Sequence, residues 1–87
     1  MKIKDGFILR EIAGGYHVIA VGNISKDFNA MINLNATGAF LWQILEKGAT
    51  NDELISALRK EYEVDEETAT KDVTLFVNRL KEAKLVD

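Results

Sequence analysis

Residues 6–34 carry no helical periodicity, and their apolar positions gather into three β-rich runs: "FILREI" from Phe7, "YHVIAV" from Tyr16 and "FNAMINL" from Phe28. "AGG" separates the first two, and Gly14 with Gly15 is a dipeptide suited to a tight hairpin turn of positive φ, so these strands are expected to pair antiparallel. The polar connection "GNISKD" begins at Gly22 and places Asn23, Ser25 and Asp27 at turn positions before the third run. There Phe28, Ala30, Ile32 and Leu34 alternate with Asn29, Met31 and Asn33, as in a strand with one face on a core. A three-stranded antiparallel meander follows.

From Ala36 onward the spacing becomes helical. Phe40, Leu41, Ile44 and Leu45 form the apolar stripe of a first helix that stops at Lys47-Gly48, with Asn35 as its N-cap and Trp42 at the margin of the apolar arc. The corner "NLNATGAFLWQIL" is read as structural, with Gly38 tolerated inside the helix for close packing. "TNDE" supplies a capping box, Thr50 with Glu53, opening a second helix with Leu54, Ile55, Leu58 and Tyr62 on its apolar face. Asp65 caps a third helix whose core stripe is Ala69, Val73, Phe76, Val77 and Leu80; Glu66 and Glu67 suit the start of its dipole, Lys81 and Lys84 its end. Strands grouped before helices predict an α+β domain spanning residues 1–87, with the helices on one face of the sheet and a likeness to a winged helix-turn-helix.

Composition narrows what such a domain could do. A chain of 87 residues has room for one core and buries roughly 60 to 65% of its unfolded surface. With 47% hydrophobic and 29% charged residues it is expected to fold throughout. The absence of cysteine removes disulfides and thiolate metal sites, and the lone His17 cannot build a zinc site. No apolar run approaches the length of a membrane helix and the N-terminus has no apolar h-region, so a cytoplasmic protein without a membrane partner is expected. A net charge of −3 disfavours a duty dominated by phosphate contacts.

Catalytic constellations are lacking. His17 reads as a hydrogen-bonded strand histidine, Asp65-Glu66-Glu67 as a helix start, and Gly14-Gly15 as a turn without phosphate-loop spacing, so neither an enzyme nor a cofactor is expected. Two features stand outside the core pattern. Thr68, Asp72, Leu75 and Arg79 follow the spacing i, i+4, i+7, i+11 on a second face of the third helix, with Leu75 an apolar residue between charges. The third strand is the other: in a sheet of order one-two-three it is an edge that Asn29, Met31 and Asn33 do little to protect, a place for a peptide strand to add or for two copies to exchange strands in a homodimer.

The segments "LNATGAFLWQILEKGAT" and "DVTLFVNRLKEAKLV" resemble two motifs of the PqqD-like domains, also called RiPP precursor peptide recognition elements. The first looks like the family's Leu-Asn-x-Thr-(Gly/Ala) corner and the apolar helix after it; the second is similar to its closing helix and apolar tail. The resemblance covers nearly the whole chain. It implies a winged-helix-like fold with an N-terminal three-stranded sheet, no catalytic activity, and binding of the leader of a ribosomally made precursor peptide as an added strand. It further implies presentation of that leader to a modifying enzyme, often a radical SAM protein. Carried onto this sequence, the binding groove would comprise Phe28, Asn29, Ala30, Met31, Ile32, Asn33 and Leu34 on the strand, with Asp72, Leu75, Phe76 and Arg79 on the helix and Thr68 on the same face. Arg79 would then oppose acidic leader residues. Members of the quinone pathway carry a Pro-Glu pair before the Leu-Asn motif and this chain has no proline, which argues against the pyrroloquinoline quinone pathway itself. Lys84 stands where the family often has glycine. The alternative is a winged-helix DNA-binding or protein-interaction module, but nucleic acid is disfavoured because the third helix opens on three acids and Arg59-Lys60 is the one adjacent basic pair.

Overall fold

The computed structural model describes residues 1–22 and 32–86. Three strands, β1 (Phe7–Ile12), β2 (Gly15–Ala20) and β3 (Ile32–Leu34), precede three helices, α1 (Ala36–Leu45), α2 (Asn51–Tyr62) and α3 (Glu66–Glu82). The strands form one antiparallel sheet of order β1-β2-β3, the meander expected from their connections. Of the expected third run, Phe28, Asn29, Ala30 and Met31 lie outside the described residues, as do Asn23, Ser25 and Asp27 of the preceding connection.

The hairpin turn is set one residue earlier than its glycine pair suggests. Ala13 (φ 53) and Gly14 (φ 81) take the two left-handed positions, while Gly15 already pairs with Ile12 as the first residue of β2. Two central residues of positive φ give the strands their native twist, and Gly meets that demand freely whereas Ala does so at a steric cost. Gly15 sits close to a neighbour instead: a Cβ there would lie 3.2 Å from the His17 ring, which would have to shift by a few tenths of an ångström.

Alternation divides the sheet cleanly. Phe7 and Leu9 of β1, Tyr16 and Val18 of β2, and Ile32 and Leu34 of β3 pack toward the helices, with Val18 and Leu34 fully within the core. Ile8, Arg10, His17, Ile19 and Asn33 take the opposite face. From the helices the core receives Leu41, Trp42 and Leu45 of α1, Leu54 and Leu58 of α2, and Ala69, Val73, Phe76, Val77 and Leu80 of α3. The α3 stripe matches its periodicity residue for residue. Trp42 does not sit at the margin of its arc: it is 0% exposed and the largest fully buried side chain, while Phe40 and Ile44 are only partly covered. The reason is tertiary, since α1 is enclosed by other elements on more than its predicted stripe. Trp42 Nε1 has no hydrogen-bond partner among the described residues. Tyr62 stays 43% exposed and meets Phe40 edge to face at 5.6 Å between centroids.

The helix ends follow local chemistry. Asn35 Oδ1 accepts from the Gly38 N–H at 2.8 Å, Thr50 and Glu53 exchange both bonds of a capping box, and Asp65 Oδ1 accepts from the Thr68 N–H at 2.7 Å. Hydrogen bonding from Thr68, through its hydroxyl and its N–H, holds the Asp65 carboxyl below the usual carboxylate range, with the Arg59 charge a smaller contribution in the same direction. At the other end of α3, Leu85 N–H donates to Leu80 O and Lys84 N–H to Lys81 O, the paired bonds of a Schellman cap, and Lys84 (φ 61) holds the left-handed position. The glycine-like geometry is kept without the glycine.

Both termini close the core. Ile3 bridges Val86, Lys4 N–H donates to Leu85 O, and Ala49 N–H donates to Met1 O, so the first residues are held between the C-terminal tail and the α1–α2 connection. No helix among the described residues is long and apolar enough to cross a membrane.

Candidate functional site

β3 pairs with β2 on one side, and its other edge is unpaired among the described residues. An edge of this kind exposes backbone donors and acceptors that seek partners. Beside it the surface opens into a groove of about 570 Å³. Asn33, Leu34 and Asn35 line one side, Asp72, Leu75, Phe76 and Arg79 of α3 the other, and Thr37, Gly38 and Leu41 of α1 complete it. The base is apolar, since Leu34, Leu41 and Phe76 all belong to the core.

Glycine makes this base possible. A Cβ at Gly38 would lie 3.4 Å from Leu34 Cβ, 3.2 Å from its own cap oxygen on Asn35 and 3.5 Å from the Phe76 ring. Any longer side chain there would occupy the space between β3 and α3. The corner read as purely structural in sequence therefore also shapes the groove, through Asn35, Thr37 and Gly38. These residues escape a sequence reading because their capping role accounts for them fully; only the packing of α3 beside them gives them a second surface.

The helical side carries the groove's charge. Leu75 is 62% exposed, the most exposed large hydrophobic residue among the described residues, and it stands between exposed Asp72 and Arg79. Neither charged side chain has an ion-pair or hydrogen-bond partner among the described residues. Thr68 lies one turn before Asp72 on the same face but does not line the groove. Ile32, whose side chain packs on the core, is also not part of the lining.

The strand side is fixed by a cross-strand contact. Asn33 pairs in register with His17, and His17 Nδ1 donates to Asn33 Oδ1 at 2.6 Å on the outer face of the sheet. This is the hydrogen-bond partner that a strand histidine requires, and it ties the short edge strand to its neighbour. A second, polar hollow of about 530 Å³ lies between α2 and α3, lined by Asp52, Ile55, Ser56, Arg59, Glu66 and Thr70. Among the described residues no three His, Cys, Asp or Glu side chains stand close enough together to hold a metal ion.

The family model described as coenzyme PQQ synthesis protein D (PqqD) matches residues 19–86. Among solved structures, the chain is similar to TbiB1 in complex with the TbiA(beta) leader peptide, with 26% identity and a TM-score of 0.78 over 100% of this chain and 95% of that one. It is similar also to lasso peptide synthetase B1 complexed with the leader peptide, with 24% identity and a TM-score of 0.73 over 94% of this chain and 91% of that one. The second likeness speaks for the fold alone. No curated protein matches the chain.

Proposed function

The chain belongs to the PqqD family, and from that premise we propose that it is a noncatalytic adaptor that binds the leader of a ribosomally made precursor peptide as a strand added to β3. The observation that carries this reading is the apolar groove between an unpaired strand edge and α3. An extended peptide laid there satisfies the backbone groups of the β3 edge, and its alternate side chains meet Phe76, Leu75 and the two charges of α3. The TbiB1 likeness supports the same reading, because that protein is complexed with a leader peptide and aligns with the whole of this chain.

The strand residues Phe28, Asn29, Ala30, Met31, Ile32, Asn33 and Leu34 and the helix residues Thr68, Asp72, Leu75, Phe76 and Arg79 are proposed as the peptide contacts, with Asn35, Thr37 and Gly38 added from the groove's lining. The adaptor would act in the cytoplasm and hand the bound leader to a modifying enzyme, a radical SAM protein being one candidate. The test is an NMR titration with the leader of a precursor peptide encoded beside this gene. Shifts concentrated in residues 32–38 and 72–79 with micromolar or tighter affinity support the reading; shifts confined to the outer sheet face or to α2 overturn it.

A further inference from the structure

We infer that the groove selects its peptide by the order of charges along it: a basic residue opposite Asp72, an apolar residue over Leu75, and an acidic residue opposite Arg79. This rests on the peptide-binding reading above and adds to it the chemistry of the segment recognised. Asp72 and Arg79 are seven residues apart, two turns of helix less about 20°, so they share one side of α3 and stand about 10.5 Å apart along its axis. Leu75, 62% exposed, lies between them on the same wall. A β-strand advances about 3.3 Å per residue and turns the same face to α3 at every second position. Three successive groove-facing residues therefore span about 13 Å, which flexible Arg, Lys or Glu side chains match to the two charges of α3.

The wall is polarised, with one acid toward the start of α3 and one base toward its end, and neither is neutralised by a partner among the described residues. Among the described residues the opposite side of the groove offers no competing charge, since Asn33, Leu34, Asn35 and Thr37 are all neutral. A peptide carrying the complementary order gains two attractions, whereas the same peptide with its charges exchanged meets two repulsions. Each exposed pair alone changes affinity by less than a few-fold, but exchanging both compounds to roughly tenfold. The apolar residue over Leu75 sets affinity in either case; the charges set register and direction.

The test selects a displayed library of random short peptides on the wild-type chain and on the double variant Asp72→Lys/Arg79→Glu, both exposed positions where exchange leaves the core intact. The wild type is expected to enrich basic, apolar and acidic residues at alternate positions, and the variant to enrich the inverted order. For a selected peptide, exchanging its two charges should weaken wild-type binding roughly tenfold at low salt and less at high salt. Enriched peptides without charge order, or the same order from both proteins, overturn this inference while leaving peptide binding in place. Failure of the wild type to enrich any peptide overturns both.

Discussion

Gly38 of α1 faces the ring of Phe76 on α3 so closely that the first carbon of any side chain at position 38 would lie 3.5 Å from it. The same carbon would stand 3.2 Å from Asn35 Oδ1 and 3.4 Å from Leu34 Cβ. Gly38→Ala adds one methyl group at contacts that need a shift of a few tenths of an ångström, and the helix propensity gained, about 1 kcal/mol, offsets that strain. Gly38→Leu overpacks the junction of β3, α1 and α3 and is expected to destabilise by about 1 to 3 kcal/mol. Thermal melts of the two variants check this: a leucine variant as stable as the wild type would show that the junction yields.

Lys84 occupies the left-handed position of the α3 C-cap at φ 61, and Ala13 that of the hairpin turn at φ 53. For a residue with a Cβ this conformation is unfavourable by roughly 1 to 2 kcal/mol, and glycine relieves most of that. Lys84→Gly should therefore stabilise the chain by about 1 kcal/mol even after the added unfolded-state entropy. Ala13→Asn, which suits the first position of such a turn, should also stabilise it by a fraction of that amount. Denaturant midpoints that fall for both variants would contradict the strain argument.

The Asp65 cap gives a pH dependence with a definite sign. Its carboxyl is held below its ordinary value by Thr68, so the stabilisation is fully present above the unfolded-state value of about 3.9 and fades as pH falls through the lower folded value. Asp65→Asn keeps a capping side chain but cannot titrate. The melting temperature of the wild type should exceed that of the variant near neutrality, and the gap should narrow below about pH 4. A gap that stays constant from neutral to acid pH would place the stabilisation elsewhere.

Leu75 and Phe76 are neighbours in sequence that should separate binding from stability. Leu75 is 62% exposed and Phe76 9% exposed, although both line the groove. Leu75→Glu is expected to change stability by no more than about 0.5 kcal/mol, yet to weaken leader binding at least several-fold. Phe76→Ala removes a core ring and should destabilise by about 3 to 5 kcal/mol, so any loss of binding there is not separable from unfolding. Calorimetric titration beside thermal melts distinguishes the two; a Leu75 variant with unchanged affinity would remove it from the binding surface.

Most of the element order was legible because it rests on short-range physics. The alternation in "FILREI" yields β1 residue for residue, and the caps at Asn35, Thr50 and Asp65 are bonds to an N–H three positions on, which sequence spacing reveals directly. The α3 stripe was legible for the same reason, since one element with one buried side obeys a single period.

What the sequence by itself determined, then, is the order of strands and helices, where each helix begins, and which family motifs they carry. Only the tertiary structure decided that Trp42 lies at the centre of the core, that Gly15 belongs to β2 while Ala13 and Gly14 make the turn, and that His17 is held by Asn33. It also brought the corner Asn35–Gly38 to face Asp72, Leu75 and Arg79 across one groove. The physical reason is common to these cases. A cap or a periodic stripe is fixed by neighbours within a turn or two, whereas burial on a second side, a cross-strand partner or a shared groove depends on residues far along the chain, which meet only once the core has packed.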